Sequence, residues 1–183
     1  MWFCSPNPTT EKPVQAFLNL NDSVKHVGMQ MCRSCHNNVY QTYIETGMGQ
    51  SFGKADLKKT DAEFGPDALV YDENLDFYYK PYFQDSIMYV LEFRMEGKDT
   101  IHKRNEKIDY IIGSGHHTNS HMINRNGYVY QAPITYYTQD KKWDLAPGFE
   151  ENNERFGRAI LSECLTCHNH TPTPATGSEN KYH

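Results

Sequence analysis

Residues 87–93 read IMYVLEF, a run of aromatic and branched side chains that is typical of a β-strand. Three further segments share this composition: residues 69–71, 75–79 and 127–130. Turn signals separate the four segments at Asp72-Glu73-Asn74, Pro81, Glu96-Gly97-Lys98 and Asn126-Gly127. Short strands that alternate with turns predict an antiparallel β meander across residues 67–140.

Helical patterns lie on both sides of this β-rich segment. Apolar positions between residues 39 and 44 share one face of a short helix, which Gly47 and Gly49 end. A second helix is predicted over residues 152–168. Its apolar face comprises Phe156, Ile160, Cys164 and Cys167. The expected fold class is therefore α+β, an antiparallel β meander flanked by short helices.

The length of 183 residues favours one domain with arms. Residues 1–27 contain three prolines after Cys4 and predict an extended N-terminal leader. The domain is expected over residues 28–183. It is predicted to have three parts. Residues 28–66 contain the sequence Cys32-Arg-Ser-Cys35-His36 and form the first motif segment, and residues 67–140 form the β-rich segment. Residues 141–183 contain Cys164-Leu-Thr-Cys167-His168, form the second motif segment and end in a loop tail.

Composition excludes several function classes. No run of about 18 apolar residues occurs, so the sequence predicts no transmembrane helix. The 18 basic and 23 acidic residues give a net charge of −5, which argues against nucleic-acid binding. Aromatic residues make up 13% of the chain, more than a disordered chain would carry.

Four of the five cysteines belong to two Cys-x-x-Cys-His motifs. The first comprises Cys32, Cys35 and His36, and the second comprises Cys164, Cys167 and His168. This motif is the attachment signal for c-type haem. Two thiols three residues apart on a helical turn can form thioethers to one porphyrin, and the histidine that follows can bind its iron as the proximal ligand. Two covalently attached haem c groups are therefore the expected cofactors.

Three other interpretations of the cysteines compete with haem attachment. Paired zinc knuckles usually lie about 12 to 20 residues apart, far closer than these two motifs. A thioredoxin-like pair should open a helix within a βαβ unit, which the sequence does not show. Two structural disulfides remain, but a single chance motif of this type has odds on the order of one in a thousand.

Covalent haem attachment takes place outside the cytoplasm, so an exported protein is expected, in the periplasm or at the cell surface or beyond. Residues 1–4 have neither the basic region nor the apolar core of a signal peptide, which favours a mature or trimmed chain. Cys4 is a candidate lipid anchor. The alternative is an unpaired thiol in the proline-containing arm.

Each iron also needs a sixth ligand or an open position. Met48 stands twelve residues after His36 between two glycines, which suit a close approach to a macrocycle and predict a distal thioether ligand. The alternative is a methionine in an apolar loop. The densest histidine cluster lies at residues 116–121; His121 is the first choice as distal ligand of the second haem, and His117 is the second choice.

Other histidines have weaker claims. His170 follows His168 too closely to reach the opposite face of the same haem, so a propionate contact or solvent exposure is expected. Ordinary surface positions are expected for His26, His102 and His183.

With these residues in place, the chain resembles the multihaem c-type cytochromes. In that family a Ser-Gly-His-Ala-like segment about a dozen residues after Cys-x-x-Cys-His supplies the distal ligand. The matching residues here are Thr46-Gly47-Met48-Gly49, so methionine replaces histidine and the resemblance implies His/Met ligation of the first haem. Residues 111–121, 127–133 and 143–150 are similar to exported multihaem cytochromes of environmental bacteria.

The function expected from these observations is electron transfer between redox partner proteins or along a chain of haem subunits. An acidic surface suits docking on basic partners. Homo-oligomers, filaments or complexes with other cytochrome subunits would help cover the haems, since the chain has little apolar core for them. The alternatives are a redox enzyme with one open iron, such as a peroxidase or a reductase of nitrogen or sulfur compounds, and a haem-based gas sensor.

Overall fold

The computed structural model describes residues 21, 23–25, 27–169 and 172–183. The chain divides into two units, Met1–Tyr40 and Gln41–His183. Most of the predicted leader lies outside the described residues, and so do Cys4, His26 and His170.

The first unit contains helical residues from Met29 onward. Helix α1 spans Met29–Cys35, and helix α2 spans Asn37–Ile44, so the boundary between the units falls inside α2. The short helix predicted from the apolar positions between residues 39 and 44 is confirmed as α2, and α1 precedes it with a break at His36. The chain then forms turns over residues 45–50, as the two glycines predict.

The second unit contains nine strands and one helix among its described residues. In chain order they are β1 Phe52–Lys54, β2 Val70–Asp72, β3 Phe77–Gln84, β4 Ile87–Glu96, β5 Asp99–Lys107, β6 Tyr110–Ile112, β7 Thr118–Arg125, β8 Tyr128–Tyr137, β9 Lys142–Leu145 and α3 Ser162–His168. They form a four-stranded sheet in the order β2-β3-β4-β5 and a five-stranded sheet in the order β1-β6-β7-β8-β9. All pairs are antiparallel. The fold class α+β is confirmed, with two consecutive meanders in place of one.

Local turn chemistry explains several of the hairpins. Asn126 and Gly127 join β7 to β8 with φ angles of 56° and 91°, both in the left-handed region that Asn-Gly turns favour. The turn predicted at residues 72–74 is present after β2. The turn predicted at residues 96–98 is present as well and joins β4 to β5. These predictions are confirmed because each depends on residues adjacent in sequence.

The turn predicted at Pro81 is wrong. Pro81 lies inside β3 and pairs with Val90 of β4, and the hairpin turn is at Asp85 and Ser86. Strand β2 pairs only with Phe77–Tyr79 of β3, so at Pro81 the other side of β3 has no strand partner. Proline is tolerated there because its missing N–H interrupts no ladder.

The two sheets share one hydrophobic core. It contains buried residues from both, and these are Val70, Phe77, Tyr79, Met88, Val90, Ile108, Ile111, Ile123, Ala132 and Ile134, joined by Phe156. The opposite face of the five-stranded sheet carries a second, smaller cluster formed by Met122, Val129, Ile160 and Leu165. Helix α3 therefore packs on the outer face of the five-stranded sheet.

The helix predicted over residues 152–168 is confirmed only for its last turns. Ile160 donates its N–H to the carbonyl of Val129 at 3.0 Å, and Ala159 forms a β-bridge with Tyr130. The segment before α3 is thus an extended strip beside β8. Phe156 and Ile160 bury their side chains in different clusters, which an extended chain permits and a single helix face would not.

Among the described residues, no helix combines the length and the apolar character needed to cross a membrane.

Candidate functional site

The first Cys-x-x-Cys-His motif occupies the end of α1. Cys32 and Cys35 are exposed free thiols, and His36 follows as the residue that caps the helix. The His36 N–H donates to the Cys32 carbonyl at 2.9 Å, which closes the last helical turn. The three side chains stand on solvent-exposed residues, so a cofactor could reach all of them.

Polar contacts hold the first motif segment together. Arg33 donates to Asn37 at 3.3 Å and lies over the ring of Tyr40 at 5.1 Å, while Gln30 contacts the Tyr40 hydroxyl at 3.2 Å. Neither α1 nor α2 has a buried residue. Several large apolar side chains of this unit are at least 52% exposed, and they are Val24, Val27, Met29, Met31 and Val39. The segment thus presents apolar surface to whatever binds there.

The second motif occupies α3 and is supported differently. Cys164 and Cys167 are again exposed free thiols, but Leu165 between them is only 3% exposed. Leu165 packs against Met122 and Val129 of the five-stranded sheet. Helix α3 is therefore anchored by one apolar side chain while both thiols face outward.

The C-terminal tail crosses the base of α3. The Tyr182 hydroxyl lies 3.0 Å from the Ile160 carbonyl and 3.1 Å from the Glu179 carbonyl. Burial raises the pKa of Tyr182, and the nearby Cys164 and Glu163 raise it further. Tyr182 is therefore a neutral phenol, and it packs against the cluster that contains Ile160 and Leu165.

His168 is partly buried, and its ring is not engaged at Nδ1. That atom is buried and has no hydrogen-bond partner among the described residues. Its backbone carbonyl accepts a hydrogen bond from the Ser51 hydroxyl at 3.2 Å. The backbone of His168 is thus fixed by Ser51, while its Nδ1 atom has no hydrogen-bond partner among the described residues.

Ser51 also connects this motif to the turn that carries Met48. The Ser51 hydroxyl lies 2.8 Å from the Met48 carbonyl, and the Ser51 N–H donates to the same oxygen at 3.1 Å. Met48 itself is 65% exposed. The buried Ser51 hydroxyl therefore links the turn of Met48 to His168. Ser51 and His168 are 117 positions apart, and no sequence signal announces this contact.

His117 and His121 lie in different environments. His117 is exposed just before β7, where its Nδ1 is 2.9 Å from the Gln139 amide. His121 is fully buried within β7 and stacks on Trp143 with ring centroids 5.1 Å apart. Its Nδ1 lies 3.2 Å from the Ile134 carbonyl. Burial, with a smaller contribution from the positive charge of Lys59, lowers the pKa of His121 to about 4, so the ring is neutral at pH 7.

The register of the five-stranded sheet decides which face His121 occupies. His121 pairs with Ile111, which belongs to the core between the sheets. The neighbouring pair Met122 and Tyr110 belongs to the cluster beneath α3. The structure does not bring His121 and His168 to one face of this sheet. The Nε2 atom of His121 is buried without a hydrogen-bond partner among the described residues, and the role of distal ligand stays a prediction.

Within the described residues, no three His, Cys, Asp or Glu side chains converge as a site for a bare metal ion. The sequence reasoning missed Ser51, Leu165 and Tyr182 as residues that position the second motif. Leu165 alone carried a local signal, an apolar residue inside the motif.

Comparison with family models, with curated proteins and with solved structures finds no significant match to this chain.

Proposed function

We propose that this protein is a dihaem c-type cytochrome that carries electrons between redox partners. The observation that supports this most directly is the pair of Cys-x-x-Cys-His motifs, each at the end of a short helix with both thiols exposed and free. Free, accessible thiols are what covalent attachment requires, whereas a structural disulfide would have consumed them.

The helical geometry of the second motif fits one porphyrin. With 3.6 residues per turn, the two cysteines and the histidine fall within an arc of about 100° around the helix. Cys164, Cys167 and His168 therefore address the same side of α3. Each thiol would add across one vinyl group, with sulfur bonding to carbon and the proton passing to the adjacent carbon.

The residues have distinct roles in this proposal. Cys32 and Cys35 hold one haem, and Cys164 and Cys167 hold the other. His36 and His168 supply the proximal imidazole nitrogens. Bound haem supplies reversible one-electron chemistry at its iron.

Met48, His121 and His117 remain the predicted distal ligands. Exposure of Met48 and His117 leaves their donor atoms accessible, whereas His121 would need an iron within the sheet interior.

Surroundings and partners follow from the same chemistry. A net charge of −5, to which haem propionates would add, suits docking on basic redox proteins. The exposed apolar side chains of the first unit would be covered by a haem, by a second copy or by another cytochrome subunit. Covalent attachment implies export to the periplasm or the cell surface, and Cys4 is a candidate lipid anchor.

The test is production in a bacterial host that exports the chain and attaches haem. We expect the intact mass to increase by two haem groups and the reduced pyridine spectrum to report two haems per chain. C32S/C35S and C164S/C167S should each lose one haem. A folded, exported chain with four free thiols and no haem absorbance would overturn the proposal.

Electron paramagnetic resonance separates the carrier from an enzyme. A low-spin ferric signal from both haems is expected of six-coordinate irons that only transfer electrons. A high-spin signal from one haem would indicate an open coordination position and favour a small-molecule redox enzyme.

A further inference from the structure

A cavity of about 660 Å³ opens where loops meet at one end of the five-stranded sheet. Its walls come from the turn before β1, the loop after β1, the loop between β6 and β7, and the end of β8. The lining residues that matter for its chemistry are Gln50, Lys58, Lys59, Asp61, His116 and Thr138. Most of these side chains offer hydrogen-bond donors.

Lys59 is the central cation of this cavity. Its ammonium donates to the Gly113 carbonyl at 2.5 Å and is partly buried. Among the described residues, no carboxylate oxygen lies within ion-pair distance of it. Burial lowers the pKa of Lys59, although Asp61 and Asp56 counteract this from a greater distance. A partly buried ammonium with a neutral partner favours an anion beside it.

Thr138 provides an independent indication of a ligand. Its hydroxyl oxygen is buried and has no hydrogen-bond partner among the described residues. A buried hydroxyl without a partner costs free energy, and a bound acceptor in the cavity would remove that cost.

The loop between β6 and β7 is shaped to close the cavity wall. Gly113 and Gly115 have φ angles of 106° and 87°, a backbone conformation that residues with a side chain rarely adopt. A side chain at Gly115 would collide with the Asp61 carboxylate. Asp61 therefore packs against the backbone of this loop, and it lines the cavity together with Lys58 and Lys59.

The cavity also borders the second motif. Gln50 and Phe52 line it, and Ser51 between them contacts the His168 carbonyl. Phe52 also lines a smaller cavity whose other walls include Leu165 and Tyr182. An anionic group of a cofactor on α3 could thus extend into the larger cavity.

We propose that this cavity is an anion-binding site whose ligand is a carboxylate or a small inorganic oxyanion. Lys59 is its main cation, Thr138 donates its hydroxyl proton, and Lys58 and His116 stand at the cavity wall. The anion is either a propionate of a haem on Cys164 and Cys167, a source that rests on the proposed function, or a free anion from solution.

Calorimetric titration with inorganic phosphate tests the site. The titration uses the haem-loaded protein and its C164S/C167S variant, which lacks the second haem. Lys59→Gln should weaken phosphate binding by about tenfold or more, because a charge-assisted hydrogen bond is lost. Thr138→Val is a second variant that keeps the side-chain shape. Lys103→Gln, an exposed lysine of β5, is the matched control and should bind as the parent does.

The two sources give different results. Phosphate binding to the haem-loaded protein indicates a free anion as ligand. Binding only to C164S/C167S indicates that a propionate occupies the cavity, and Lys59→Gln should then lower the midpoint potential of the second haem while Lys103→Gln does not. The proposal is overturned if phosphate binds neither form, or if Lys59→Gln and Thr138→Val bind as Lys103→Gln does. The two proposals can fail separately. A chain that carries no haem would refute the proposed function, but phosphate titration of that haem-free chain would still test the anion site.

Discussion

The two Cys-x-x-Cys-His segments share a motif and differ in what lies beneath them. Helix α1 has no buried residue, and its neighbours present exposed apolar side chains. Helix α3 packs Leu165 onto the five-stranded sheet, and Ser51 and Tyr182 contact it or its flanks. The motif defines the chemistry in both places, but the chain provides a preformed support only for the second.

Protease cleavage should expose this difference most strongly. Without its haem, the first segment loses an apolar partner that we propose for it, and neither α1 nor α2 has a buried residue of its own. C32S/C35S should therefore accelerate subtilisin cleavage within residues 28–40 by at least about tenfold. C164S/C167S should leave residues 160–168 protected, because Leu165 still packs. Cleavage sites are mapped by mass spectrometry. Equal acceleration in both segments would refute the contrast.

Truncation of the buried leucine should be the largest single-residue effect. Leu165→Ala should lower the free energy of unfolding by about 2–5 kcal/mol, since it leaves a cavity between α3 and the sheet. Met31→Ala in α1, at a side chain 62% exposed, is the matched control and should stay within about 0.5 kcal/mol. Urea titration measures both. A similar loss at Met31 would show that α1 is also packed.

Acid should lower the free energy of unfolding through His121, which is buried in the five-stranded sheet that supports α3. Its folded pKa of about 4 lies below the ordinary value of 6.5, so the unfolded chain binds more protons between these values. Stability should therefore be complete above pH 6.5 and fall by up to about 3 kcal/mol as the pH drops to 4. His121→Phe should remove this part of the pH dependence.

The same variant addresses the distal ligand of the second haem. If His121 is the distal ligand of the second haem, His121→Phe should convert its low-spin ferric signal to high spin. An unchanged low-spin signal would remove His121 as a ligand, in agreement with its position on the sheet face opposite α3, and would leave His117 as the candidate.

The hydroxyl of Ser51 should give the smallest effect. Ser51→Ala removes a hydrogen bond to α3 and should cost about 1 kcal/mol. Ser34→Ala in α1 removes an exposed hydroxyl that donates to the Met31 carbonyl and contacts the Cys35 sulfur, and it should cost close to nothing. Urea titration compares the free energy of unfolding of the two variants. A larger decrease for Ser34→Ala than for Ser51→Ala would show that α1, and not α3, is the better supported helix.

Much of the secondary structure could be predicted where neighbouring residues decide it. The turn at Asn126 and Gly127 and the run at residues 87–93 are examples. Strand β5 escaped prediction because it is rich in charged side chains and lies at a sheet edge. The helix expected over residues 152–168 forms only from Ser162 onward, because Ile160 pairs with β8, a contact remote in sequence.

The sequence by itself determined the spacing of two thiols and an imidazole in each motif, the charge of the chain and its hairpin turns. These are local properties, since they depend on residues within a few positions of each other. Only the tertiary structure decided that Leu165 anchors one motif helix, that Ser51 reaches His168, and that His121 is buried on the opposite sheet face. Those features depend on strand register and on packing between distant segments, where many arrangements are compatible with the same local pattern.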